Sequence, residues 1–272
     1  MSPRPLSTQL RVLYAAAALL ALGAAFQTYV LTERTDDFFA WPIEPPISAA
    51  FLGGCYWASV TLLAISSRVG TWVEGRLAAP PVMVGSLFLL AATLIHLDLF
   101  EEDHPVFWFW LAAYVLVPPI LLVLVLKQLR APGEDPPPRV PIPGWARAGL
   151  AVHAALLLGF GALMFALPGT AEEIWPWTLT PLTSRALGAF LLAFGVTAAF
   201  VVRDNEFTRL RGPLLAYAVF GAAELIAVAR YAGDIDFDEA AAWLYVGFMV
   251  TALLGCLAML ALLRRLPASG EA

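Results

Sequence analysis

Two ionisable residues lie inside apolar stretches of this chain, where charge is expensive, and they are the first candidates for chemistry. Glu224 sits in the run VFGAAELIAVAR. It is about eight residues from the end of its stretch, or about 12 Å deep at a helical rise of 1.5 Å per residue. Arg185 lies about one turn into the preceding stretch, entered from the same side, or about 6 Å deep. An ionisable group at such depth faces a bundle interior and takes a partner, so the sequence predicts a Glu224–Arg185 couple. Arg230 is six residues from Glu224, about 240° further round the helix, and does not share its face. A carboxylate and a guanidinium in a membrane interior serve either as a solute- or proton-linked site or as a static ion pair.

A second cluster reads HLDLFEEDH and spans His96 to His104. Hard divalent cations want several oxygen ligands, and imidazole suits zinc or copper. His96, Asp98 and His104 are therefore the metal candidates. The loop that echoes it later in the chain, YAGDIDFDE, has no histidine, and the plain alternative is a solvated acidic loop. Trp41 and Trp175 open two similar segments, WPIEPP and WPWTLTP. They are ligand-binding candidates as the roof of a cavity, or interfacial anchors.

Other chemistries are excluded. No nucleotide-binding, serine-hydrolase or metalloprotease motif occurs. Paired intramembrane histidines for haem are missing, since only His153 lies well inside a span. Cys55 and Cys256 have no CxxC spacing and read as small apolar side chains. No cofactor is expected.

The elements that must position these residues follow from composition. The 272 residues are 60% hydrophobic and 14% charged, with mean hydropathy +0.77. Soluble domains carry about 25% charge. A span needs about 20 apolar residues. Eight stretches qualify, roughly 10–31, 47–67, 80–100, 106–129, 146–168, 181–202, 213–232 and 240–263. Pro46 and Pro181 suit first helical turns, and Ser48 and Thr183 are expected to satisfy free amides there. Asp103 and Asp238 are expected N-caps. Pro118-Pro119 is expected to kink the fourth span. Gly53, Gly54, Gly159, Gly161, Gly188, Gly195, Gly221 and Gly255 are expected to allow close helix approach.

Charge sorts by loop. The first terminus and every second loop hold 13 of the 16 basic residues, and the alternate loops hold 14 of the 21 acids. The positive-inside rule then places both termini in the cytoplasm of a cell (inner) membrane protein. Trp41, Trp108, Trp110, Trp175, Trp177 and Trp243 are expected to form an outer aromatic belt, with Trp72 and Trp145 at the inner interface. With 15 Arg and one Lys sorted this way, no nucleic-acid patch exists.

The chain also matches itself at an offset of 135. Pro46 falls on Pro181, Gly53 on Gly188, Arg68 on Arg203, Arg76 on Arg211 and Trp108 on Trp243. Glu224 falls on Leu89 and Arg185 on Ala50, so neither member of the couple has a charged echo. The expected fold is all-α: a polytopic membrane helix bundle of eight transmembrane helices, arranged as two parallel four-helix repeats. Residues 1–130 and 145–272 are the repeats, and 131–144 is a Pro-rich cytoplasmic linker. The function expected first is a permease for a small solute or ion, with its site between the repeats. The alternatives are a non-catalytic assembly protein with a membrane partner, or an outer-face intramembrane enzyme or lipid-binding protein. The lipid bilayer is the partner common to all three.

Overall fold

A computed structural model describes residues 2–100 and 103–266, and the chain is all-helical with no β-strand among them. Eight helices are long and apolar enough to cross a membrane. They contain α1 (Thr8–Tyr29), α2 (Pro46–Ser66), α3 (Ala79–Ile95, in a span that starts at Trp72), α4 (Pro105–Leu129), α5 (Gly144–Ala166), α6 (Pro181–Asp204), α7 (Arg211–Arg230, in a span that starts at Phe207) and α8 (Ala240–Arg264). Short helical turns over Trp72–Gly75 and Phe207–Leu210 lead towards α3 and α7. This is the architecture of a helical membrane bundle, as composition predicts.

Most helix starts follow the sequence. Pro46, Pro105 and Pro181 each open a helix, where a missing N–H has no partner to lose. The Thr180 hydroxyl caps α6 by accepting from the Thr183 amide at 3.2 Å. Two expected caps are not formed. The capping positions of α4 and α8 are His104 and Glu239, and neither makes a side-chain cap bond. Asp103 and Asp238 stand one residue too early. Ser48 does not cap α2 either, because its hydroxyl accepts the Trp177 indole N–H at 2.8 Å. Pro118 and Pro119 lie inside an unbroken α4.

Helix neighbours are specific. α1 packs along α2, and α5 along α6. α3 packs on α4, and α7 on α8. Between these hairpins, α2 packs on α7 and α3 on α6. α2 and α6 are therefore central, with 72% and 67% of their most apolar stretch buried. α4 and α8 are peripheral at 17% each, and they turn Phe109, Leu122, Leu244 and Leu254 outward. Glycine makes the tightest contacts possible. A Cβ on Gly188 would stand 2.8 Å from the Gly161 carbonyl oxygen, and one on Gly161 2.9 Å from that of Gly188. Gly53 lies against the backbone of Tyr29. Gly159 and Gly255 face open space, so the expectation of close packing fails at those two.

At the end of the bundle that holds the first residues, ion pairs tie the linker down. Asp204 at the end of α6 accepts from Arg76 and Arg209, and Asp135 of the linker pairs with Arg76 and Arg4. Gln128 clasps the first segment, accepting from the Ser7 amide at 2.9 Å and donating to the Pro5 carbonyl at 2.9 Å.

Candidate functional site

Glu224 is fully buried, but its partner is Tyr245 rather than Arg185. The Tyr245 hydroxyl, on α8, donates to Oε2 at 2.8 Å. Oε1 has no hydrogen-bond partner and lies against Gly54 of α2. The Tyr29 hydroxyl of α1 donates to the neighbouring Ala223 carbonyl at 2.7 Å. The carboxyl thus sits where α2, α7 and α8 meet. Above it a ring cluster closes the space. Phe51 meets Trp175 edge-on at 5.5 Å and Phe220 at 5.6 Å, and Tyr245 meets Trp177 at 5.3 Å.

Arg185 is held elsewhere, because α6 presents it to the loop after α3. Its guanidinium Nη1 donates to His96 Nε2 at 2.6 Å. That bond fixes Nε2 as the acceptor, so the imidazole is neutral with its proton on Nδ1. Burial and then the Arg185 charge push the His96 pKa below its usual value, against a smaller opposing pull from Asp98. His96 is therefore occupied by a cation rather than free to ligate one. Among the described residues, no group of three His, Cys, Asp or Glu side chains is placed to hold a metal. Glu101 and Glu102 of the same loop lie outside the described residues. Arg230 donates to the Tyr29 carbonyl at 2.9 Å and ties α7 to α1.

The tryptophans divide differently from the expected belt. Trp108, Trp145 and Trp243 are exposed, as interfacial anchors should be. Trp41, Trp72, Trp110 and Trp177 are buried, and Trp175 is half-buried. Trp41 packs edge-on to Trp110 at 5.0 Å and to Phe100 at 5.5 Å, with Phe39 at 4.8 Å. Trp41 and Trp177 are core because the loops that carry them fold inward, Trp41 onto Trp110 of α4 and Trp177 onto Tyr245 of α8. Among the described residues, the indole N–H groups of Trp41 and Trp175 both lack a hydrogen-bond partner. A polar cleft of about 790 Å³ lies nearby, lined by Thr32, Asp36, Glu44, Glu172 and Thr180.

An apolar slot inside the bundle was not foreseen. A slot of about 390 Å³ runs among α1, α2, α3, α4, α6 and α7. It follows α1 from Ala17 to Gln27, a length of about 15 Å at helical rise. None of its lining residues is charged. Tyr56 of α2 and Tyr114 of α4 line it, and their hydroxyls bond to each other at 2.8 Å. Its other hydroxyls from Ser59, Ser86 and Thr197 donate to carbonyls of their own helices. Tyr217 bonds to His153 of α5 at 2.6 Å, which gives the lone intramembrane histidine a structural partner. Mid-span tyrosines were the only available signal, and sequence could not say that Tyr56 and Tyr114 meet.

A polar centre at the basic end was also missed. Glu206 is buried, and its carboxylate accepts from the Arg139, Val140 and Thr208 amides and from the Thr208 hydroxyl. Burial alone would raise its pKa, but these four donors outweigh it and hold the carboxyl below its usual range. The signal was an acid directly after Asn205, the one non-glycine residue with positive φ among those described.

Searches against known protein families, curated proteins and solved structures find nothing that matches this chain.

Proposed function

We propose that this chain is an integral membrane protein that takes a neutral, lipid-derived ligand from the bilayer into the slot between its two halves. One observation carries the reading: the slot is long, apolar and free of charged residues, at the depth of the spanning helices. Its volume falls within the about 300–1,000 Å³ typical of small-molecule sites. Gly23 lines the slot and has nothing within 4 Å of a would-be Cβ. Gly23→Phe should therefore fill the slot without disturbing the helices. Lipid co-purifying with the protein in mild detergent should fall several-fold in that variant. Unchanged lipid content at unchanged thermal stability would overturn the reading.

The slot lies between halves that we read as a duplication with a pseudo-axis along the membrane normal. Pro46 and Pro181, Pro105 and Ala240, and Leu129 and Arg264 bound their helices at the same offset of 135. Burial follows the same order in each half: 28, 72, 44 and 17%, then 22, 67, 50 and 17%. The neighbour pairs α1–α2, α3–α4 and α2–α7 become α5–α6, α7–α8 and α6–α3 when the halves exchange. Charge sorting supports cytoplasmic termini in a cell (inner) membrane. A cysteine at Arg139, an exposed linker position, should then resist membrane-impermeant maleimide in intact cells, and ready labelling would reverse the orientation.

A small-solute or ion permease is the second reading, favoured by Oε1 of Glu224 standing buried without a partner. Glu224→Gln should abolish uptake of its solute while the protein still folds. Undiminished uptake removes Glu224 from any transport role.

A further inference from the structure

The Tyr56–Tyr114 pair contains two hydroxyl protons, and the bond between them uses one. Among the described residues neither oxygen has another protein partner. The second proton is therefore left without a protein acceptor, in a wall of the slot. The remaining lining donors are accounted for. Ser59, Ser86 and Thr197 return to helix carbonyls, the Trp110 indole donates to Thr93 Oγ1 at 2.9 Å, and Tyr217 is engaged by His153. Only the tyrosine pair and the Gln27 amide are left to meet a ligand among the described lining residues.

Depth and charge restrict what that ligand is. Tyr56 stands ten residues after Pro46 and ten before Ser66, the ends of α2, or about 15 Å from either end. A charged head group would be costly there, and no lining side chain offers a countercharge. A carbonyl oxygen can accept the unspent proton without bringing charge. We propose that the slot binds a neutral long-chain lipid, an isoprenoid quinone or an uncharged acyl ester, whose carbonyl oxygen accepts from the Tyr56–Tyr114 pair. This rests on the slot being a ligand site at all, and the test separates the two.

The probe is a decyl-substituted benzoquinone titrated into the purified full-length protein, with quenching of tryptophan emission as the readout. Trp110 lines the slot and reports occupancy. Decylbenzene, which lacks the carbonyls, is measured by competition. Replacing both tyrosines together, Tyr56→Phe with Tyr114→Phe, leaves no orphaned hydroxyl, so the fold should survive. The quinone should then bind about five-fold more weakly, the effect of one hydrogen bond, while decylbenzene binds as before. Equal quinone affinity in the double variant overturns the carbonyl proposal, even where Gly23→Phe abolishes binding and so upholds the slot. Full quenching in Gly23→Phe overturns the slot reading itself. If the double variant fails to fold, the infrared carbonyl band of quinone on the wild-type protein decides. A shift to lower frequency than in detergent supports the bond, and an unshifted band overturns it. Organic extracts of protein purified from its own membranes distinguish the sources, a quinone by its redox difference spectrum and an ester by mass. An extract holding only charged phospholipid counts against both.

Discussion

Tyr245 of α8 donates its hydroxyl proton to Oε2 of Glu224 on α7, at 2.8 Å, inside a ring cluster that leaves Glu224 no exposed surface. The residues 135 positions earlier are Trp110 and Leu89. There the aromatic donor reaches one turn further and gives its N–H to Thr93 Oγ1 instead. At both places an aromatic donor on α4 or α8 meets the helix before it, α3 or α7. Only α7 offers it a carboxyl.

That pairing predicts a non-additive stability cycle. Glu224→Leu leaves the Tyr245 hydroxyl buried without an acceptor, a cost of about 1–3 kcal/mol. Adding Tyr245→Phe removes the orphan and should recover much of the loss. Thermal unfolding in detergent checks this. If the two changes simply add, the hydroxyl has found another partner and the bond is not what holds α7 to α8.

Gly54 completes the same contact from α2. A Cβ at this position would stand in the space of Glu224 Oε1. Gly54→Ala should therefore destabilise by about 1–3 kcal/mol, the usual cost of overpacking. In a Glu224→Ala background the carboxyl is gone, so the penalty should vanish. A penalty that persists would mean that Gly54 is needed by the backbone rather than by Glu224.

The Gly161–Gly188 contact makes a sharper prediction, because backbone and not a side-chain tip stands in the way. A Cβ on either glycine falls within 3.0 Å of backbone atoms of the facing helix. Gly188→Ala should drive α5 from α6 and lower the unfolding temperature. Gly159→Ala, two residues before Gly161 on a face with nothing within 4 Å, should not. Equal effects of the two substitutions would show that helix propensity rather than interhelical approach sets the outcome.

The sequence made the spans legible because a bilayer requires length and apolarity, and both are visible without knowing the fold. Helix starts at Pro46 and Pro181 were readable because proline in a first helical turn leaves few alternatives. The facing of the helices was not readable. In a membrane the lipid side of a helix is as apolar as the packed side, so no stripe marks which way Glu224 or Tyr56 points. The expected Glu224–Arg185 couple rested on depth alone, and depth was compatible with Arg185 turning to His96 in a loop. Trp41 and Trp177 failed as belt residues because an interfacial ring and a ring buried under a loop have the same sequence position. Nor does the sequence of α5 say that His153 meets the Tyr217 hydroxyl of α7.

Glu206 carries the prediction that depends on pH. Its folded carboxyl is held below the usual range by four donors from the linker and from Thr208. A depressed folded pKa contributes stability that is fully present above the unfolded value and is lost as pH falls through the folded value. The unfolding temperature should therefore be flat near neutrality and decline in acid, below the ordinary carboxylate value of 4.5. Glu206→Gln keeps the size but replaces one acceptor oxygen with an NH₂ that faces amide donors. It should lower stability at neutral pH and flatten the acid decline. Because the bonds run to Arg139 and Val140, the lost stability should show first as faster amide hydrogen exchange in the linker, before the helices open. An acid decline as steep in Glu206→Gln as in the wild type would show that Glu206 is not its origin.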